Sequence, residues 1–154
     1  MNTLIIEPAT LDDLAGIVAI EQQVFTWAWD EADYEALLNT DACHLFVARY
    51  AEQEPTARIL GYVALQDVQD HREVYVLTLA VDPFYTRQGI GKQLLALPLH
   101  YAEAMDGVIA LHVRCSNTAA IHLYESCGLR CAGTINDFFP DGEAAQYMLR
   151  FNTE

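Results

Sequence analysis

Apolar residues recur along this chain in two rhythms: short runs of apolar residues, and longer stretches with a spacing of three or four. Leu4-Ile5-Ile6 is the first short run, and Pro8 stops it, because proline lacks the N–H a ladder needs. Leu11, Leu14, Ile17, Val18 and Glu21 then fall at helical spacing. Thr10 and Asp13 precede that stretch as an N-cap pair, a short acid standing in for the usual Glu. A second helix is predicted from Asp30 through Leu38. Between the two lie Phe25, Trp27 and Trp29, large aromatics where a plain connection would be polar. They are either core or a wall for a ligand. His44 to Tyr50 and Ile59 to Val68 read as a hairpin around a polar loop, Glu52 to Thr56. Val74 to Val81 is β-branched and apolar, a buried strand ended by Asp82-Pro83. A helix follows Gly89-Ile90-Gly91 and runs to about Met105, with Pro98 predicted to kink or end it at a cost of ~3 kcal/mol. Val108 to Arg114 is the next strand, and Asn117 caps a helix that Gly128 closes. Leu129 to Thr134 and Gln146 to Phe151 pair as the last strands, around Phe138-Phe139-Pro140-Asp141-Gly142. The order β-α-α-β-β-β-α-β-α-β-β predicts an α/β fold with a mixed sheet flanked by helices, in a single domain over residues 1–154.

Composition narrows the function. With 53% hydrophobic residues in 154, the chain can bury a real core and is not disordered as a whole. A net charge of −14 argues against nucleic acid, which asks for a basic face. The same charge suits a cationic partner, an amine or the basic start of another protein, unless it only serves solubility. No apolar run of membrane-spanning length and no signal peptide is evident, so a cytoplasmic protein that does not span a membrane is expected. Cys43, Cys115, Cys127 and Cys131 read as reduced, packed thiols. His112, Cys115, His122, Cys127 and Cys131 lie close in sequence, but their spacings match no zinc pattern, so no metal is expected.

The chemistry concentrates in residues 73–97. A buried strand, a loop with Gly89 and Gly91 and a helix start make an anion cradle from backbone N–H groups and the helix dipole, flanked by Arg87 and Lys92. A helix that merely begins after glycines would look the same. Arg87-Gln88-Gly89-Ile90-Gly91-Lys92 after Leu79-Ala80-Val81-Asp82-Pro83 resembles the acetyl-CoA signature of the GNAT superfamily of N-acetyltransferases. Asn117-Thr-Ala-Ala-Ile-His-Leu-Tyr124-Glu-Ser-Cys-Gly128-Leu resembles that superfamily's second signature, in the family's order and spacing. One departure is Thr86, where the family usually carries Arg or Gln three residues before the first glycine; Arg87 is then the candidate for the pyrophosphate contact.

The resemblance implies that acetyl-CoA is the cosubstrate, with its phosphates at Arg87–Lys92 and its pantetheine along the backbone of Leu79, Ala80 and Val81. It also implies a cofactor contact from Asn117, whose capping role alone would explain its presence. Tyr124 is implied as the proton donor to the departing thiolate. Asn117 and Tyr124 are seven residues apart, so one helical face would carry both. Bacterial ribosomal-protein alanine N-acetyltransferases carry a Glu where this chain has His112, and the eukaryotic N-terminal acetyltransferase E type has a His there and a Tyr matching Tyr75. In that type the pair holds a water that collects the amine's proton, from neighbouring strands that part around the acetyl group. Neutral imidazole suits an α-amine of pKa about 8 better than a lysine near 10.4. His112 as a merely packed histidine stays open, with Glu73 as a reserve base. Phe25, Trp27 and Trp29 fall where these enzymes contact peptides, and Phe138-Phe139 stands where they usually carry two tyrosines. The acceptor implied is a protein N-terminus, attacked directly in a ternary complex; a small-molecule amine or a non-catalytic acetyl-CoA-binding module shares the same motifs. The sequence assigns no oligomeric state.

Overall fold

The computed structural model describes residues 3–52 and 58–151. Most of the predicted polar loop, residues 53–56, lies outside them. The elements follow the predicted order: β1 (Leu4–Pro8), α1 (Leu14–Val24), α2 (Glu31–Leu38), β2 (Cys43–Tyr50), β3 (Gly61–Val68), β4 (Glu73–Val81), α3 (Ile90–Ala104), β5 (Val108–Arg114), α4 (Thr118–Ser126), β6 (Arg130–Ile135) and β7 (Ala145–Phe151). The seven strands are ordered β1-β2-β3-β4-β5-β7-β6. β1–β2, β2–β3, β5–β7 and β6–β7 are antiparallel and β4–β5 is parallel, so the sheet is mixed and mostly antiparallel. The chain divides into two compact units, Met1–Gln66 with Leu77–Ala96, and Asp67–Val76 with Leu97–Glu154. β4 contributes its first half to the second unit and its second half to the first.

In the first unit, Leu14, Ile17, Val18 and Ile20 of α1 pack with Tyr34 and Leu37 of α2 and with Leu45, Val47, Tyr62 and Ala64 of β2 and β3. Leu11 is a correction to the predicted stripe. It falls in a 3-10 turn, Leu11–Asp13, ahead of α1 and is exposed. The capping box forms as predicted, Asp13 Oδ2 accepting from the Thr10 N–H at 2.9 Å, and Asp13 Oδ1 also accepts from Arg49 at 3.0 Å.

Glu21 keeps its place on the stripe although it is charged, and only 3% of it is exposed. Its carboxylate accepts from the Tyr34 hydroxyl at 2.6 Å, from the Tyr62 hydroxyl and from the Trp29 N–H at 3.1 Å. Three donors satisfy a group that burial alone would penalise heavily. Burial, with the neighbouring carboxylate, pushes both phenols above their ordinary range. This clamp explains the aromatic connection: Trp29 and Phe25 are partly buried against the unit's core, while Trp27 is 53% exposed.

α3 does not stop at Pro98 but continues to Ala104. Ile90, Leu94, Leu95, Pro98 and Ala102 are all buried at helical spacing, so the ring lies on the apolar stripe and its packing offsets the lost hydrogen bond. In the second unit, β7 lies between β5 and β6, and β6 is an edge strand exposed along its whole length. Cys131 on that strand is exposed, which corrects its reading as a packed thiol; all four cysteines are free.

Candidate active site

In the first unit the strand, the glycine loop and the helix start follow one another as the sequence predicts. Asp82 caps the turn Pro83–Tyr85, its Oδ1 accepting from the Phe84 N–H at 3.0 Å, and Thr86 Oγ1 donates to the Pro83 carbonyl at 3.3 Å. Arg87 and Gly89 then adopt left-handed backbone, φ 64° and 82°. That reversal brings the chain into α3, whose first turn is closed by the Gln93 N–H on the Gly89 carbonyl at 3.1 Å. A Cβ built on Gly89 meets no protein atom within 4 Å, so the space beside the loop is open. Arg87 and Lys92 are exposed, and neither pairs with a carboxylate among the described residues. Gln88 has a structural task instead: its Oε1 accepts from the Tyr50 hydroxyl at 2.7 Å and ties the loop to β2. Backbone donors, a helix start and two unpaired cations fit a diphosphate.

In the second unit Tyr124 lies on α4 and is 6% exposed. The helix ends in a Schellman motif: the Gly128 N–H bonds the Glu125 carbonyl and the Leu129 N–H bonds the Tyr124 carbonyl, both at 3.0 Å, with Gly128 at φ 96°. The backbone at Tyr124 is thus fixed. Its hydroxyl has no hydrogen-bond partner among the described residues, and burial pushes its pKa up to about 12. A buried phenol without a partner is unusual and fits a group that donates to a ligand. Asn117 is the N-cap of α4, its Oδ1 accepting from the Ala120 N–H at 3.2 Å. Its backbone is not helical, so the i, i+7 face argument for Asn117 and Tyr124 does not hold in its simple form.

Also in the second unit, β4 and β5 bring together the residues predicted to handle the amine's proton. The ladder pairs Glu73 with Val108, Val74 with Ile109 and Tyr75 with Ala110. The Tyr75 hydroxyl is hydrogen-bonded to His112 Nδ1. Burial lowers the His112 pKa below the ordinary imidazole value, so the ring is neutral at pH 7. Burial, then Tyr147 and Glu73, push Tyr75 up to about 12, so it keeps its proton. For the imidazole to act as a base, Nδ1–H must donate to the Tyr75 oxygen and Nε2 must carry the lone pair. Phe138 stacks on His112 with ring centroids 4.4 Å apart and planes 13° apart, and Phe139 meets Phe138 edge-on at 5.0 Å. The lost tyrosine hydroxyls are therefore replaced by a flat apolar cover on the imidazole.

Two features escaped the sequence reading. Arg114 on β5 bonds Asp141 and Glu143 and lies 4.2 Å above the Phe139 ring, which fixes the loop that carries Phe138. Tyr147 on β7 faces His112 with centroids 4.8 Å apart. Acidic residues in a tight loop and a tyrosine in an apolar strand look ordinary in sequence, and only the β5–β7 register reveals them.

Among the described residues no helix is long and apolar enough to cross a membrane. A family profile described as "Acetyltransferase (GNAT) family" matches residues 14–129. A "[Ribosomal protein bS18]-alanine N-acetyltransferase" from Salmonella typhimurium is 33% identical over 149 residues, 93% of this chain and 90% of that protein. An "N-alpha-acetyltransferase RimI" from Mycobacterium tuberculosis is 30% identical, covering 94% and 92%. The crystal structure of the ribosomal-protein-S18-alanine N-acetyltransferase from Escherichia coli superposes with a TM-score of 0.82 at 29% identity, over 99% of this chain and 96% of that one.

Proposed function

Because this chain belongs to the acetyltransferase (GNAT) family, we propose that it moves an acetyl group from acetyl-CoA to the N-terminal α-amine of a protein or peptide, as one catalytic domain in the cytoplasm. Backbone groups of Leu79, Ala80 and Val81 and the loop Arg87, Gln88, Gly89, Ile90, Gly91 and Lys92 hold the cosubstrate, with Asn117 adding a contact. The β4–β5 ladder ends at Tyr75 and Ala110, which supports a free strand edge at Leu79–Val81. In the transfer the amine nitrogen forms a bond to the acetyl carbon and the carbon–sulfur bond breaks. The amine's proton passes through a water held by Tyr75 and His112, and Tyr124 donates toward the sulfur. A phenol near pKa 12 stays protonated through the neutral range, so donating a hydrogen bond to the developing charge suits it better than early loss of its proton. Phe25, Trp27, Phe138 and Phe139 line the acceptor.

The observation that carries the α-amine assignment is the hydrogen bond between Tyr75 and a neutral His112. A mild base needs an acceptor that is already partly neutral. At pH 7.4 an α-amine of pKa about 8 is, whereas lysine is neutral to roughly one part in a thousand. The relatives named as acting on an alanine of ribosomal protein bS18 favour the same class. The net charge of −14 suits a basic peptide. An acetyl-CoA turnover screen of short peptides with varied N-termini, beside polyamines, aminoglycosides and free amino acids, tests the reading. The best substrate is expected to be a free peptide N-terminus. Faster turnover of a small amine, or none of any amine, rejects it.

The cosubstrate site has its own test. Gly89→Asp places a side chain on left-handed backbone and a carboxylate in the open space of the cradle. Acetyl-CoA affinity, read by calorimetry, is expected to fall at least about tenfold, or ~1.4 kcal/mol, with circular dichroism unchanged.

A further inference from the structure

The sheet face that carries His112 holds a third residue to which no motif points. β5 and β7 run antiparallel with His112 directly opposite Tyr147, and residues so paired project from one face. Tyr75 pairs with Ala110, two residues before His112, and therefore stands on that face as well. Tyr75, His112 and Tyr147 form a row across β4, β5 and β7, which are adjacent in the sheet.

These contacts divide the imidazole among them. The Tyr75 hydroxyl takes Nδ1. Phe138 lies nearly parallel to the ring, but it is 42% exposed and sits on the connection between β6 and β7. Tyr147 approaches at 4.8 Å with 32° between planes, and it is held in a seven-residue ladder with β5. One hydrogen bond at Nδ1 leaves an imidazole free to swing about its side-chain torsions. A ring packed from a ladder strand removes that freedom. A base displaced by about 1 Å from its productive geometry loses roughly a hundredfold in rate.

We propose that Tyr147 is a positioning residue for the base, its ring holding the His112 imidazole in the orientation that presents Nε2 to the acceptor's proton. The consequence for rate rests on the acetyl-transfer reading above; the hold on His112 does not. The ring is the working part, so phenylalanine serves in its place and an aliphatic residue does not.

The experiment compares Tyr147→Phe with Tyr147→Val, a β-branched replacement that a strand accepts. It measures steady-state kinetics with acetyl-CoA and an alanine-starting peptide. It also measures ring-¹⁵N spectra of histidine-labelled protein, with His112 assigned by its loss in His112→Ala. The titratable groups facing His112 are Tyr75 from β4, itself coupled to Glu73, and Tyr147 from β7. Tyr147→Val is expected to lower kcat about tenfold or more with KM for acetyl-CoA within about twofold. Its His112 midpoint should rise toward the ordinary imidazole value as one covering ring is lost. Tyr147→Phe is expected to stay within about threefold of wild type, with the His112 spectrum unchanged. An unchanged His112 spectrum and kcat in Tyr147→Val overturns the proposal. So does a Tyr147→Phe enzyme as impaired as Tyr147→Val, because the hydroxyl rather than the ring would then matter. A wild type that acetylates no amine defeats the acetyl-transfer reading by itself, and the spectra then decide the proposal alone.

Discussion

Tyr124→Phe is expected to lower kcat by about 10²–10⁴-fold, the usual worth of a positioned general acid, while acetyl-CoA affinity stays within about twofold. The substitution removes one oxygen from a side chain that is 6% exposed. That oxygen has no hydrogen-bond partner among the described residues, so its loss strands no other buried group. The fold should therefore tolerate the change, and the melting temperature should hold or rise slightly. The backbone beneath is fixed separately by the Gly128 and Leu129 bonds of the helix end. An interaction that exists only as charge develops on sulfur lowers kcat and kcat/KM together and leaves ground-state binding alone. Single-turnover kinetics beside calorimetry separate the two. A loss below about threefold returns Tyr124 to a packing role.

Much of this was legible in the sequence, for identifiable reasons. The strand Val108–Arg114 is legible to the residue because an apolar run ends just before the Asn117 cap. Asp30, Asn117 and Gly128 are legible because each does a local job, bonding backbone within four residues of itself. What is not legible is mostly tertiary. Pro98 predicts a kink or an early end, and propensity knows nothing of the buried stripe on which α3 continues to Ala104. The role of Glu21 is not legible on its stripe, since its partners Trp29, Tyr34 and Tyr62 are 8, 13 and 41 residues away. Cys131 reads as packed because nothing in Arg130–Ile135 announces an edge strand. In the site, a resemblance points to Tyr75 and His112, whereas only the β5–β7 register points to Tyr147.

Replacing either His112 by Ala or Tyr75 by Phe is expected to remove most of the activity, about 10²-fold or more, and the double variant should be little worse than the poorer single. The reason is geometric. Their side chains share one hydrogen bond, and in the proposed relay they hold one water between them, which either substitution removes once. Fully multiplicative losses would instead mean two independent contributions. The pH dependence follows with a definite sign. Burial lowers the His112 pKa, so the base is neutral above the ordinary value of about 6.5 and its own contribution is lost only as pH falls below it. Tyr75, held near 12, does not titrate in this range and adds no limb of its own. Between pH 6.5 and 8 the remaining rise in kcat/KM belongs to the acceptor. For a peptide α-amine the profile should climb about tenfold per unit and flatten near pH 8. For a lysine side chain it should keep climbing toward 10.4. Removing Tyr75 should also cost His112 its preferred tautomer, so Tyr75→Phe is expected to lose kcat without moving KM for acetyl-CoA. The measurement is kcat/KM from pH 5.5 to 9 with a free alanine-starting peptide and an N-terminally blocked lysine peptide, for wild type, both singles and the double. A second acid limb well above 6.5, beyond the one set by the acceptor amine, or a blocked lysine peptide that outruns the free N-terminus at pH 7.4, would reject the His112–water relay.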